Sequence, residues 1–230
     1  MEHLGDWQAA AVSTLDWWRE AGVDVLVEET SRDWLARAAP IEARPVAVPD
    51  ALPETLAEFL AWRVGAAAPE AAWRGVSIAA TGPLDAELMV LVDCPDRGDA
   101  DCLLSGPAGK LFDRMLGAMG VSRDAVHLAA VCARRPVAGR MPREVEAELQ
   151  RLARHHLGLL APRRLLLMGD AAARALLGTE VLRARGRLHT VNHEGGETAA
   201  VATFHPRLLL ERPAQKADAW KDLQLLMGAR

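Results

Sequence analysis

The chain has 230 residues, half of them apolar and a quarter charged, with 27 Lys and Arg against 31 Asp and Glu, three Cys, three Phe and no Tyr. That profile describes a globular chain long enough to bury roughly 70% of its unfolded surface, and it excludes disorder, collagen and coiled coil. The net charge of −4 disfavours a protein that merely coats nucleic acid, but residues 1–100 carry 7 basic and 18 acidic side chains while residues 101–230 carry 20 and 13, which leaves a basic C-terminal half available to phosphates.

Residues 5–20 place apolar side chains at helical spacing, and six of the seven Trp (Trp7, Trp17, Trp18, Trp34, Trp62 and Trp73) precede residue 74. Large aromatic anchors so distributed predict an N-terminal, Trp-rich helical extension over residues 1–84 that packs on the core. The four prolines from Pro40 to Pro53 predict an extended connector, and a second helix is expected over about Leu52–Val64. From residue 85 to 230, short apolar runs alternate with helical segments. The expected strands are Glu87–Val92, Val126–Cys132, Arg164–Met168 and Ala199–Phe204; the expected helices are Ala108–Met119, Arg143–Leu160, Asp170–Leu177 and Lys216–Met227. Gly120 and Gly178 stand where helices end, and Pro142 where one starts. The alternation predicts an α/β fold, a three-layer α/β/α sandwich around a central four-stranded parallel sheet.

No apolar run approaches the roughly 18 residues of a membrane span, and Met1 to Asp6 lack a basic region before an apolar stretch, so a cytoplasmic protein is expected. The three cysteines, Cys94, Cys102 and Cys132, are widely spaced. They suit reduced thiols, offer no CxxC pair for zinc and cannot supply the four thiolates of an iron–sulfur cluster. His189, His193 and Glu194 imitate metal spacing but fall in a Gly-rich loop, and no metal or cofactor is expected. His155 and His156 adjoin on a helix and are expected at the surface.

In open parallel sheets, ligands bind beyond the carboxyl ends of the strands. There the first strand delivers Asp93-Cys94-Pro95-Asp96, the second Arg134-Arg135-Pro136, the third Gly169-Asp170 and the last His205-Pro206-Arg207. Asp93 is either a turn carboxylate capping local amides or an acid facing a substrate. His205, fixed between a strand end and a proline, is the better catalytic candidate. Ser105-Gly106-Pro107-Ala108-Gly109-Lys110-Leu111 opens a helix whose amides would take a phosphate, or it simply packs glycines; its spacing fits neither a nucleoside-triphosphate nor a dinucleotide fingerprint.

Read together, these segments resemble the uracil-DNA glycosylase superfamily, most closely its family 4. The match rests on Thr203-Phe204-His205-Pro206-Arg207-Leu208-Leu209-Leu210 with Pro213, Lys216, Trp220 and Asp222-Leu223, and on Leu167-Met168-Gly169-Asp170-Ala171-Ala172-Ala173 with Leu176-Leu177-Gly178. Arg185-Gly186 with His189, the 105–111 segment, and Arg135-Pro136 with Arg140 and Pro142 follow the same order, over roughly residues 85–225. The resemblance implies hydrolysis of an N-glycosidic bond, with Asp93 stabilising the sugar cation and positioning water and His205 hydrogen-bonding the departing base. It places Cys94, Pro95, Leu104 and Ala130 in the base pocket and Ser105, Gly106, Arg135 and Arg207 on DNA phosphates around an extruded nucleotide.

The departures are specific. Asp93 stands where the family has Glu in a Gly-Glu-x-Pro-Gly turn. Leu104 falls at the uracil-stacking Phe, a contact worth roughly 1–3 kcal/mol per base, and Ala130 at the Asn that reads the pyrimidine edge. The four cluster cysteines are missing. Two of them align at about Arg134 and Glu148, where a charge pair is expected to replace the cluster's cross-link. The expected function is a DNA-repair glycosylase acting on uracil or another modified base, with DNA as partner. The alternative is a catalytically degenerate DNA-binding or scaffold protein, whose N-terminal region would take a protein partner.

Overall fold

The computed structural model describes residues 6–21, 51–137 and 141–229. The chain divides into two units, residues 1–43 and residues 44–230. The first contributes α1 (Asp6–Glu20), where the Trp17 and Trp18 rings meet edge to face with centroids 5.8 Å apart. Trp34, Arg140 and most of the Pro40–Pro53 connector lie outside the described residues.

In the second unit, α2 (Leu56–Arg63) starts at Thr55, whose hydroxyl accepts the Glu58 amide as an N-cap. Then come β1 (Leu88–Val92), α3 (Pro107–Ala118), β2 (Val126–Ala130), α4 (Arg143–Leu160), β3 (Arg164–Met168), α5 (Asp170–Leu177), α6 (Val181–Ala184), β4 (His189–His193), β5 (Gly196–Thr203), α7 (Pro206–Glu211) and α8 (Lys216–Gly228). The sheet order is β2-β1-β3-β5-β4. β1 pairs in parallel with β2 and β3, and β3 with β5. The expected parallel strands are all present. The fifth, β4, is antiparallel to β5 across a two-residue turn at Glu194-Gly195. His189 and His193 therefore sit on an edge strand and not in a loop. A short polar edge strand carries too few apolar residues to stand out in the sequence.

Alternation along the central strands separates two apolar layers. Met89, Leu91, Leu165, Leu167, Ala200 and Ala202 face α2, α4 and α5. Leu88, Val90, Val92, Leu166, Met168 and Val201 face α3 and α8. All five residues of β1 are buried, as a strand covered on both faces requires. Each fully buried Leu or Phe contributes about 1.5–3 kcal/mol. Residues before the sheet join this core: Phe59 is fully buried, the Ile78 amide donates to the Ala133 carbonyl, and Thr81 bridges Leu128.

His156 is not at the surface. It is buried, and its Nε2 lies 2.9 Å from Nε2 of buried His127, whose Nδ1 lies 3.0 Å from the Pro83 carbonyl. A carbonyl only accepts, so His127 carries its proton on Nδ1 and takes that of His156 on Nε2. Burial holds both imidazoles below their ordinary pKa, and so neutral. His155 is partly buried, with Nε2 2.8 Å from the Pro53 carbonyl.

Candidate active site

The sheet's hydrogen bonding continues past its strands and fixes the rim. The Val131 amide donates to Val92 O and the Cys132 amide to Asp93 O, which sets Asp93 between the ends of β2 and β3. The Asp93 carboxylate turns towards the start of α5, where Oδ1 accepts the Ala172 amide at 2.8 Å. Gly169 makes room for it: a Cβ there would lie 2.4–2.7 Å from the carboxylate atoms, and its φ of +112° favours glycine. Burial raises the Asp93 pKa from 3.8 to about 6; the Ala172 amide opposes this, and the Asp170 charge adds to it. Asp93 opens on a cavity of about 660 Å³ shared with Cys94, Cys132, Glu146, Asp170 and Arg174. Burial also pushes the Cys94 thiol up to about 11 and that of Cys132 well above its ordinary range, so both stay protonated and unreactive.

His205 ends the extension of β5 and caps α7. Its Nδ1 accepts the Arg207 amide at 3.2 Å, which places the ring proton of the neutral form on Nε2. That Nε2 is buried and has no hydrogen-bond partner among the described residues. Burial lowers the ring's pKa to about 4, against the pull of Asp96. The strand end is anchored by Asp222, which the sequence reading left without a role. This buried carboxylate accepts Thr203 Oγ1 at 2.9 Å, Arg185 Nε at 3.1 Å and the Gly186 amide at 3.0 Å. Arg185 lies over the Phe204 ring, 4.7 Å from its centroid.

The turn between Asp93 and α3 is organised by Asp99, another residue the sequence did not single out. Its carboxylate accepts the amides of Asp96, Leu104 and Ser105 at 2.8–3.0 Å and the Ser105 hydroxyl at 2.9 Å. Burial works against that charge, but the donors outweigh it and hold the carboxyl below its usual range. The Asx-type signal, an Asp ahead of a Ser-Gly-Pro helix start, is local and legible. Ser105 is thus spent on Asp99. Arg135 Nη1 donates to Pro95 O at 2.9 Å, and Arg207 pairs with Asp96. Pro95 and Cys94 are buried beneath this turn. Leu104 is 2% exposed in a left-handed conformation, φ 52°, and Arg123 Nη1 donates to its carbonyl. A Cβ on Gly109 would come within 1.7 Å of that carbonyl oxygen, so α3 can begin against the turn only with glycine. Leu104 and Ala130 belong to one apolar cluster, on the α3 side of the sheet.

The charge pair expected between Arg134 and Glu148 does not form. Glu148 pairs with Arg151, while Arg134 donates to Ser77 Oγ and to the Ala71 and Trp73 carbonyls at 2.6–2.8 Å. Beside it, buried Glu70 Oε1 accepts Arg63 Nη1 at 2.6 Å and the Ala133 amide at 2.7 Å, and Arg63 Nη2 donates to Val131 O. Residues 63–77 are thereby tied to the loop after β2 by polar groups. The donor set does not fit a four-thiolate iron–sulfur cluster: the chain has three cysteines, two of them buried as protonated thiols in the core, and no cluster of three metal-binding side chains occurs among the described residues.

A family model described as the uracil DNA glycosylase superfamily matches residues 80–224. The chain is 29% identical over 166 residues to a type-4 uracil-DNA glycosylase of Pyrobaculum aerophilum, covering 68% of this chain and 84% of that protein. It is 29% identical over 150 residues to the type-4 uracil-DNA glycosylase of Archaeoglobus fulgidus, covering 60% of this chain and 74% of the relative.

Proposed function

The chain belongs to the uracil DNA glycosylase superfamily, in its family-4-like branch, and from that premise we propose that it hydrolyses the N-glycosidic bond of uracil or another modified base extruded from DNA. The observation that carries the reading is the unmet Nε2–H of His205. A buried donor without an acceptor costs about 1–3 kcal/mol and calls for an explanation. A departing base supplies one, because its carbonyl oxygen gains negative charge as the bond breaks. The low pKa keeps His205 neutral at physiological pH, so it acts as a hydrogen-bond donor and does not need to give up its proton.

Asp93 takes the other half of the reaction. Above pH about 6 it is ionised, and its charge stabilises the oxocarbenium character at the sugar and orients a water. The C1′–N bond breaks with its electron pair leaving on the base, the water oxygen bonds to C1′, and the water's proton passes to the carboxylate and then to solvent. The 660 Å³ cavity at Asp93 falls within the range of about 300–1,000 Å³ typical of ligand sites, but neither His205 nor Leu104 lines it, so a base held by both Asp93 and His205 needs a path that opens between them. DNA is the partner, with Gly106, Arg135 and Arg207 towards its phosphates, and Ser105 only once its hydroxyl leaves Asp99. Arg207 is held by Asp96, so a phosphate must displace that carboxylate to use it. Base entry also requires rearrangement, since both Leu104 and His205 Nε2 are enclosed.

The buried Leu104, in the place of the stacking Phe, favours a second reading: a DNA-binding or scaffold protein that keeps the fold without the chemistry. Incubation with uracil-containing single- and double-stranded oligonucleotides separates the two. Abasic product lost in Asp93→Ala and His205→Ala supports the enzyme; salt-dependent binding without product from any deaminated or alkylated base supports the scaffold.

A further inference from the structure

Two arginines that the site above does not use stand without a partner among the described residues. Arg74 and Arg97 are exposed and make no hydrogen bond or ion pair among the described residues. Both line a groove of about 330 Å³ together with Arg135. Two carboxylates share that groove, but each is engaged elsewhere: Asp96 with Arg207, and Asp99 with three amides and the Ser105 hydroxyl. Arg135 spends one nitrogen on the Pro95 carbonyl, a neutral acceptor that leaves its charge uncompensated. Three guanidiniums therefore line one hollow with no free anion among the described residues that line it. Such a field attracts a polyanion.

The groove is continuous with a second, of about 600 Å³, through the shared residues Asp96, Arg97, Asp99 and Arg135. The second runs on to Gly106 at the start of α3, to Arg207 and, at the α7 end, to the exposed carboxylate of Glu211, so the excess of positive charge lies at the Arg74–Arg97–Arg135 end. Val76 and Val137, 68% and 84% exposed, flank the outer end. The 74–78 segment is held in place: Arg134 binds the Trp73 carbonyl and Ser77 hydroxyl on either side of Arg74, and Ile78 pairs with Ala133. A charged trough edged by apolar residues suits a chain that alternates phosphate with sugar and base. We propose that Arg74 and Arg97 form an outer subsite for a nucleic-acid strand, gripping a phosphodiester of the nucleotides that flank the extruded one. This rests on the DNA reading above.

The test is fluorescence anisotropy of an undamaged single-stranded oligonucleotide of roughly 20 nucleotides across a salt series, with wild type, Arg74→Ala/Arg97→Ala and the charge-reversed Arg74→Glu. Both side chains are exposed, so thermal unfolding should leave the variants' stability unchanged. The expected result is affinity about 5- to 20-fold weaker in the double variant, a larger loss in Arg74→Glu, and a salt dependence of log K shallower by about 1 to 2, given about 0.7 per single-strand phosphate contact. Equal affinity and slope in wild type and variants would overturn the subsite while leaving the DNA reading intact. A wild type that binds no DNA would overturn both. Displacement of the oligonucleotide by polyglutamate at matched charge as effectively as by unlabelled DNA would overturn the assignment to nucleic acid.

Discussion

Replacing Asp93 by Asn removes a titrating carboxyl while keeping its size and an oxygen able to accept the Ala172 amide at 2.8 Å. In the fold, burial lifts this carboxyl from 3.8 to about 6, so the native state holds the proton more tightly than the unfolded chain does. The sign follows: Asp93 costs no stability below pH 3.8, costs progressively more as pH rises towards 6, and costs a constant amount above it. The gap corresponds to about 3 kcal/mol, and screening by water in the adjoining cavity reduces the expected figure to about 1–3 kcal/mol. Asp93→Asn should therefore be more stable than wild type at neutral pH by that amount and equal to it in acid. The buried histidines titrate in both proteins, and their contribution cancels in the difference. Urea unfolding at a pH well above 6 and another near 4, with equal m-values, measures it. A variant less stable than wild type at neutral pH, or a difference independent of pH, would refute the account of Asp93 as a carboxylate held ionised against the cost of burial.

Three further outcomes follow from the same geometry. Base release should rise with pH through about 6 as Asp93 ionises and then level off, with no descending limb from His205, which is neutral above about 4; a single-turnover pH profile checks this. Gly169→Ala should lower base release by at least about 10-fold, because its Cβ would lie 2.4–2.7 Å from the Asp93 carboxylate and small misplacements of reacting groups are costly; the same assay with a circular-dichroism control for folding measures it. Glu70→Ala should destabilise the protein by about 3–5 kcal/mol, leaving Arg63 buried without its anion, as read by denaturant midpoint.

The parallel sheet was legible because its strands are short continuous apolar runs between helical periods: Arg164–Met168, Arg143–Leu160 and Asp170–Leu177 are found as expected. β4 was not, since His189, Asn192 and His193 give an edge strand little apolar pattern. His156 was readable after all. Leu149, Leu152, Ala153, His156 and Leu160 recur at helical spacing on the buried face of α4, which puts the imidazole on the apolar stripe. At the rim, strand-end logic singled out Asp93 and His205. What it missed was long-range: Glu70 and Ala133, and Arg134 and the partners it takes in place of Glu148, lie some 60 residues apart in sequence, and no local pattern marks those pairings. Gly169 left a usable trace, a glycine between strand and helix, though its reason became visible only with the Asp93 carboxylate beside it.

The measurement closest to the central claim is single-turnover release of free base from a uracil-containing oligonucleotide by wild type, Asp93→Asn and His205→Ala, with DNA affinity determined on the same samples. Free uracil and an abasic strand are expected from wild type, with losses of about 10²–10³-fold in each variant and DNA binding retained in all three. Undiminished release by either variant, or DNA binding by wild type with no base released from uracil or any other modified substrate, would contradict that claim.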